Sequence, residues 1–340
     1  MIKLPLEEAV GKILAHDMTR IVPGEFKGPA FKKGHILRAE DIPQLRRMGK
    51  NHVYIHEFND SLYHEDEAAF RIAHRIAGER LALTEPSEGR INLKAQQNGM
   101  LRINRELLYR VNSQEHIIVS TLHDYTPVQA GQVVAGTRII PLTLPRERIH
   151  TVEALLEASG PIVTLCPSRP LRVGIVVTGS EVFTGLIEDR FGPVLASKVD
   201  RYGGVLEGIL YAPDDAEVIA ERVRTLIDQG AEAVLVSGGM SVDPDDVTPK
   251  AIATVSDRVV TYGAPVLPGA MFMLAYAGSV PVLGIPGCGM YRRITVLDLI
   301  FPRLLADIPV ERHDIIELGH GGLCLGCEQC TWPVCPFGKP

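Results

Sequence analysis

The chain has 340 residues, 46% of them hydrophobic, and a formal net charge of −6 with both signs interspersed. That length allows two domains or three, and no apolar run reaches the length of a membrane span. The mild acidity argues against nonspecific nucleic-acid binding, so an anionic ligand has to be held by local groups rather than by the overall field. The first residues, Met1-Ile-Lys-Leu-Pro-Leu-Glu-Glu8, carry an early lysine but no apolar core and no small-residue cleavage site. No signal peptide is expected there, and the expected compartment is the cytoplasm.

In chain order, residues 1–168 read as a β-rich α+β region. Residues 40–48 have helical spacing, with Ile42, Leu45 and Met48 on one side and Gly49 as the stop. Residues 53–55 alternate like a short strand. Residues 65–81 read as an amphipathic helix with Ala69, Ile72, Ala73 and Ile76 on one face, and Gly78 weakens its end. Residues 117–122 form a strand candidate, and the glycines within 128–142 suggest a hairpin-rich β unit. Nothing in this region has the spacing of a catalytic site. The prolines of Cys166-Pro-Ser-Arg-Pro170 mark a boundary.

From there the pattern alternates strand and helix, which predicts a doubly wound, mostly parallel α/β domain over 169–310 with right-handed crossovers. Strands are expected at 171–177, 205–211, 233–236 and 280–285. Helices are expected at 194–202, from Asp214 or Asp215 to Gln229, from a Thr248 cap with Pro249 in first position, and at 291–305. Residues 311–340 form a cysteine-rich tail.

Two of these strands end in glycine turns with carboxylates: Thr178-Gly-Ser-Glu181 and Ser237-Gly-Gly-Met-Ser-Val-Asp-Pro-Asp-Asp246. Glycine after a strand lets the backbone approach a ligand and aims N–H groups outward, which suits phosphate. Three acids at 243, 245 and 246 beside such a loop would repel an anion unless a divalent cation bridged them, which points to phosphate with Mg²⁺ held by Asp243 and Asp246. The plain alternative is a solvated acidic loop in which Asp246 or Thr248 caps a helix. Glu181 and Asp214 are expected at the same sheet edge, where open α/β sheets bind ligands.

Together, Thr178-Gly-x-Glu181, Ser237-Gly-Gly-x-Ser241 with Asp246, and Leu283-Gly-Ile-Pro-Gly287 resemble the molybdopterin-binding domains of molybdenum-cofactor biosynthesis. The stretch Lys33-Gly-His-Ile-Leu-Arg-Ala-Glu-Asp-Ile-Pro-Gln-Leu45 is similar to the β-rich regions that flank this domain in molybdopterin molybdenumtransferases. The resemblance implies a site for molybdopterin, a pterin with a dithiolene and a terminal phosphate, positioned by Glu181, Asp214 and Asp246. Thr178, Gly179, Ser237, Gly238, Gly239, Ser241, Pro286 and Gly287 would line it. It also implies a homo-oligomer and a reaction in which adenylylated molybdopterin and molybdate, with Mg²⁺ or Zn²⁺, yield the metal-loaded cofactor and AMP.

Two loops depart from the transferase pattern. Leu267-Pro-Gly-Ala-Met271 and Pro286-Gly-Cys-Gly-Met290 carry no lysine, and a lysine would help hold molybdate or a leaving phosphate. This keeps open a non-catalytic carrier or sensor that passes cofactor to a molybdoenzyme or a maturation factor. Cys288 could offer a thiolate to molybdenum or lie inert in the core.

The tail reads Cys324-Leu-Gly-Cys327-Glu-Gln-Cys330-Thr-Trp-Pro-Val-Cys335, a C-x2-C-x2-C-x4-C spacing. It is similar to the cysteine run of bacterial ferredoxins with one residue added before the last cysteine. Closely spaced thiols on turns can wrap a single Zn²⁺ or one iron–sulfur cluster, with zinc preferred here. His313 and His320 are alternative ligands, and free or redox-active thiols are the plain alternative.

Overall fold

The structure is a computed structural model that describes residues 1–339 except His56 and Phe58. The chain forms two compact units: Met1–Gln97, Arg102–Leu122 and Gln129–Leu165 in one, and Asn98–Leu101, His123–Val128 and Cys166–Pro340 in the other. Among the described residues no helix is long and apolar enough to cross a membrane.

The first unit combines a small antiparallel sheet with helices. Its strands Leu81–Leu83, Arg90–Ala95, Val133–Ile139 and Ile117–Thr121 lie side by side in that order. Helix Glu65–Ile76 buries Ala68, Ala69, Ile72, Ala73 and Ile76, the face expected from its spacing. It stops five residues before Leu81. Ala77 is extended and the Gly78 N–H donates to Val163 O at 2.8 Å, leaving no room for another turn. The expected hairpin at 128–142 is a single strand, Val133–Ile139, paired on both sides, whereas Pro127–Val128 pairs with Gly99 and Met100. A small N-terminal core holds Leu6, Leu14, Leu37, Leu45 and Val53.

The second unit is a doubly wound, mostly parallel sheet. Its strands in chain order are β1 (Arg172–Thr178), β2 (Val205–Ala212), β3 (Ala233–Ser237), β4 (Arg258–Tyr262), β5 (Met273–Ala277) and β6 (Val280–Ile285). Their spatial order is β2-β1-β3-β6-β5-β4. The pairs β1–β2, β1–β3 and β3–β6 are parallel, and β5 and β4 continue antiparallel. Four helices cover the two faces: α1 (Phe191–Arg201), α2 (Ala216–Asp228), α3 (Thr248–Val255) and α4 (Val296–Leu305).

Side-chain alternation divides the core. Val173, Ile175, Val177, Leu235, Leu283 and Ile285 pack with Phe191, Leu195 and Val199 of α1 and with α4. Val176, Val234, Val236 and Val282 pack with Ile219, Val223 and Leu226 of α2 and with Ile252 of α3. Burial on both faces explains why the middles of these strands are apolar.

Three of these helix starts differ from expectation. α1 begins at Phe191, where the Asp189 carboxylate accepts from the N–H groups of Phe191 and Gly192, and not at residue 194. α2 begins where Asp215, rather than Asp214, accepts from the N–H groups of Glu217 and Val218. α4 begins at Val296 and not at residue 291, because Thr295 and Asp298 form a capping box that fixes the first turn.

Candidate functional site

Parallel pairing brings four strand ends abreast: Thr178 of β1 beside Ala212 of β2, Val177 beside Ser237 of β3, and Ser237 beside Ile285 of β6. Every glycine turn singled out in the sequence therefore leaves from one edge. At its centre Thr178 is buried, and its hydroxyl donates to Ser237 O at 3.0 Å and lies 3.4 Å from the Thr248 hydroxyl. Thr248 is thus the first residue of α3, turned inward to Thr178, and is not the helix cap expected from the sequence.

The Ser237-Gly-Gly turn fits closely against β1. Gly238 has φ +93, and a Cβ there would sit 2.5 Å from both Thr178 O and Thr178 Oγ1. Gly239 has φ +53, and a Cβ there would come within 2.9 Å of Thr248 Oγ1 and 3.6 Å of Asp246 Oδ1. Only glycine satisfies both the backbone angle and the approach at 238. The Ser237 hydroxyl is buried and has no hydrogen-bond partner among the described residues. Such an atom costs on the order of 1–3 kcal/mol, so its retention at a strand end asks for a reason beyond packing.

The acidic loop closes on itself. The Asp246 N–H donates to Asp243 O at 3.0 Å, and the Asp243 N–H donates to Asp246 Oδ2 at 3.2 Å. Asp246 is half-buried, and Asp243, Asp245 and Ser241 are exposed. Tyr262 of β4, which the sequence pattern did not mark, donates its hydroxyl to Met240 O at 3.0 Å and to Ser241 O at 3.2 Å. Burial, and then the charge of Asp246, raise the Tyr262 pKa, so this hydroxyl stays a donor.

On the other flank, Asp214 folds over the first turn. The Ser180 N–H donates to Asp214 Oδ2 at 2.9 Å, and the Asp214 N–H donates to Ser180 Oγ at 3.2 Å. Ser180 is the partner that the motif contained without its role being legible. Glu181 lies in the single helical turn Ser180–Phe183 and is exposed, with its Oε1 3.2 Å from where a Gly179 Cβ would be.

Pro286 follows β6, and residues Gly287–Met290 form a short 3-10 turn. Cys288 is half-buried there, and burial pushes its thiol pKa up, which favours the unreactive thiol. The loop beyond is tied down by a buried pair. Lys198 of α1 donates to Arg293 O at 2.8 Å and to both oxygens of Asp298, at 2.8 and 2.7 Å.

The residues expected to line the site thus share one edge, with Thr178, Gly179, Ser237, Gly238 and Gly239 at its centre and Asp214 and Asp246 on its flanks. Among the described residues, no three His, Cys, Asp or Glu side chains are grouped so as to hold a metal ion. Asp243 and Asp246 offer two carboxylates, and Mg²⁺ is commonly held by one or two carboxylates together with substrate phosphate and water. Cys324, Cys327, Cys330 and Cys335 line one cavity, together with Leu267, Pro268 and Tyr291.

Residues 174–306 match the family described as a probable molybdopterin binding domain, and residues 3–57 match a domain of unknown function, DUF8806. The chain is 37% identical over 95 residues to a CinA-like protein of Mycobacterium avium (strain 104), a match covering 28% of this chain and 22% of that one. A CinA-like protein of Mycolicibacterium gilvum (strain PYR-GCK) is 38% identical over 87 residues, covering 26% and 21%. The matched part thus spans only 22% and 21% of the length of these two curated relatives. Among solved structures, the molybdopterin biosynthesis enzyme MoaB of Thermus thermophilus aligns at 22% identity and TM-score 0.36, over 41% of this chain and 98% of that one. The tungsten cofactor synthesizing protein MoaB of Pyrococcus furiosus aligns at 17% identity and TM-score 0.34, over 41% and 97%. Residues 174–306, the segment that matches the probable molybdopterin binding domain, carry both glycine turns and the flanking carboxylates.

Proposed function

We propose that the carboxyl edge of this sheet binds molybdopterin in molybdenum-cofactor assembly, and that the reaction served is insertion of metal into adenylylated molybdopterin. The observation that carries this reading is the convergence of Thr178, Gly179, Ser237, Gly238 and Gly239 on one edge, with the Ser237 hydroxyl left unpartnered. Backbone N–H groups of the Ser237-Gly-Gly turn would hold the terminal phosphate. Asp214 and Asp246 would accept from the amino-substituted pterin and set its orientation.

A second reading, a carrier that binds cofactor without changing it, is favoured by one feature. Neither Leu267-Pro-Gly-Ala-Met271 nor Pro286-Gly-Cys-Gly-Met290 supplies a lysine to hold molybdate or a leaving phosphate.

The test is an anaerobic assay with adenylylated molybdopterin and molybdate, with and without Mg²⁺, in which binding and AMP release are read from the same samples. AMP release together with active cofactor supports the insertase, and binding without release supports the carrier. Asp246→Asn and Ser237→Ala sharpen the result. Ser237→Ala removes an unsatisfied buried hydroxyl, so the ligand-free protein should be as stable as the parent or more so, while ligand affinity falls by about tenfold, the worth of one well-placed hydrogen bond. Unchanged affinity in both variants would remove this edge from molybdopterin binding.

A further inference from the structure

The cysteine segment is not a loose appendage. Leu323 bridges Leu267 in parallel fashion, with the Leu267 N–H donating to Gly322 O and the Cys324 N–H donating to Leu267 O, each at 2.8 Å. At its far end the Gly338 N–H donates to Gly321 O at 3.0 Å, which closes 321–338 into a loop whose ends meet. Phe337 is buried in the core, and Cys324, Cys330, Trp332 and Cys335 pack against that core. Trp332 meets the Tyr202 ring edge-on at 6.1 Å between centroids, and the Tyr202 hydroxyl donates to Asp298 at 2.8 Å.

All four cysteines of this loop line a single cavity of about 700 Å³, together with Arg292 and Arg293. All four are free thiols. The size of that cavity bears on which of the two metal centres the spacing allows. A tetrahedral zinc draws its four ligands to within about 2.3 Å of one point, whereas these four cysteines line a cavity of about 700 Å³. An iron–sulfur cluster is wider, because each thiolate binds a different iron at the rim of an inorganic core. Four sulfurs spread around one cavity suit the wider group. Four thiolates also bring negative charge that has to be balanced, and Arg292 and Arg293 line the same cavity.

We propose that Cys324, Cys327, Cys330 and Cys335 ligate one iron–sulfur cluster, with Arg292 and Arg293 offsetting its charge. The four thiols are not among the residues assigned to molybdopterin, and the proposal does not rest on that reading.

The experiment is anaerobic reconstitution of the full chain with ferric iron, sulfide and excess dithiothreitol, which supplies the reducing equivalents, followed by desalting and assay of iron, acid-labile sulfide and zinc. The expected result is iron and sulfide bound in equal amounts, visible charge-transfer absorption, and an electron paramagnetic resonance signal on reduction. Cys327 is exposed, so Cys327→Ser leaves the packing intact. It should keep the parent far-ultraviolet circular dichroism and lose most of the iron, whereas Cys166→Ser and Cys288→Ser should keep it. Zinc at one per chain without sulfide, no bound metal at all, or full iron retention in Cys327→Ser would each overturn the proposal.

Discussion

Replacing Lys198 by Met tests how the loop beside the site is held. Asp298 is fully buried, and Lys198 is nearly so. The Asp298 carboxylate accepts from Lys198 Nζ twice, from the Tyr202 hydroxyl at 2.8 Å, from the Thr295 N–H at 2.7 Å and from the Thr295 hydroxyl at 3.3 Å. Removing the cation leaves a buried charge with dipolar donors only. Breaking one side of such a pair typically costs about 3–5 kcal/mol, and the surviving donors place this case near the lower end, about 3 kcal/mol. In a unit of this size 1 kcal/mol moves the melting temperature by about 2–4 °C, so Lys198→Met should lower the transition of the α/β unit by about 6–12 °C. Differential scanning calorimetry reads this, with urea unfolding as the equilibrium check. Adding Asp298→Asn removes the stranded charge while keeping an acceptor for the Thr295 N–H, and should recover a large part of the loss. A single variant that melts within about 1 °C of the parent would refute the reasoning. So would a double variant less stable than the single one.

Further predictions concern the turn and the other unit. Gly238→Ala meets strain at φ +93 and a contact 2.5 Å from the Thr178 backbone, whereas Gly203→Ala, at φ +83, meets open space. The left-handed penalty of about 1–2 kcal/mol is common to both, so urea titrations should show Gly238→Ala less stable than Gly203→Ala, and equal losses would mean that the close approach costs nothing. In the first unit, the His64 side chain, and then Lys33, hold the Asp66 carboxyl down at about 2 against an ordinary 3.8, even though burial opposes them. A depressed carboxylate adds stability that is present above its unfolded value and is lost as pH falls through its folded value. Stability of about 1 kcal/mol, after screening of this half-buried group, should therefore disappear between about pH 4 and about pH 2. Asp66→Asn should flatten that part of the pH–stability curve, and an unchanged acid limb would assign the loss to other carboxylates.

Local physics made much of the second unit legible in the sequence. Apart from the exposed Arg172, the runs at 171–177, 233–236 and 280–285 carry no polar side chain, as strands buried on both faces require, and they stand as β1, β3 and β6. The glycine turns after β1 and β3 were readable because few residues besides glycine take the backbone angles of Gly179, Gly238 and Gly239. What lay beyond reach was set by partners distant in the chain. Strands β4 and β5 carry weaker patterns, and their antiparallel pairing with β6 comes from the sheet. Tyr262 therefore entered the site unannounced. Thr248 looked like a cap by its neighbours, but the hydroxyl of Thr178, seventy positions away, draws it inward. Asp298 and Lys198 are unremarkable helix residues until the packing of α1 on α4 buries them together. For the cysteines, the spacing alone allowed an ion or a cluster. The sequence by itself determined which residue types could serve a ligand or a metal, because backbone freedom and donor chemistry are local properties. Only the tertiary structure decided which of them share an edge or a cavity, because that depends on which strand ends the parallel pairing sets side by side.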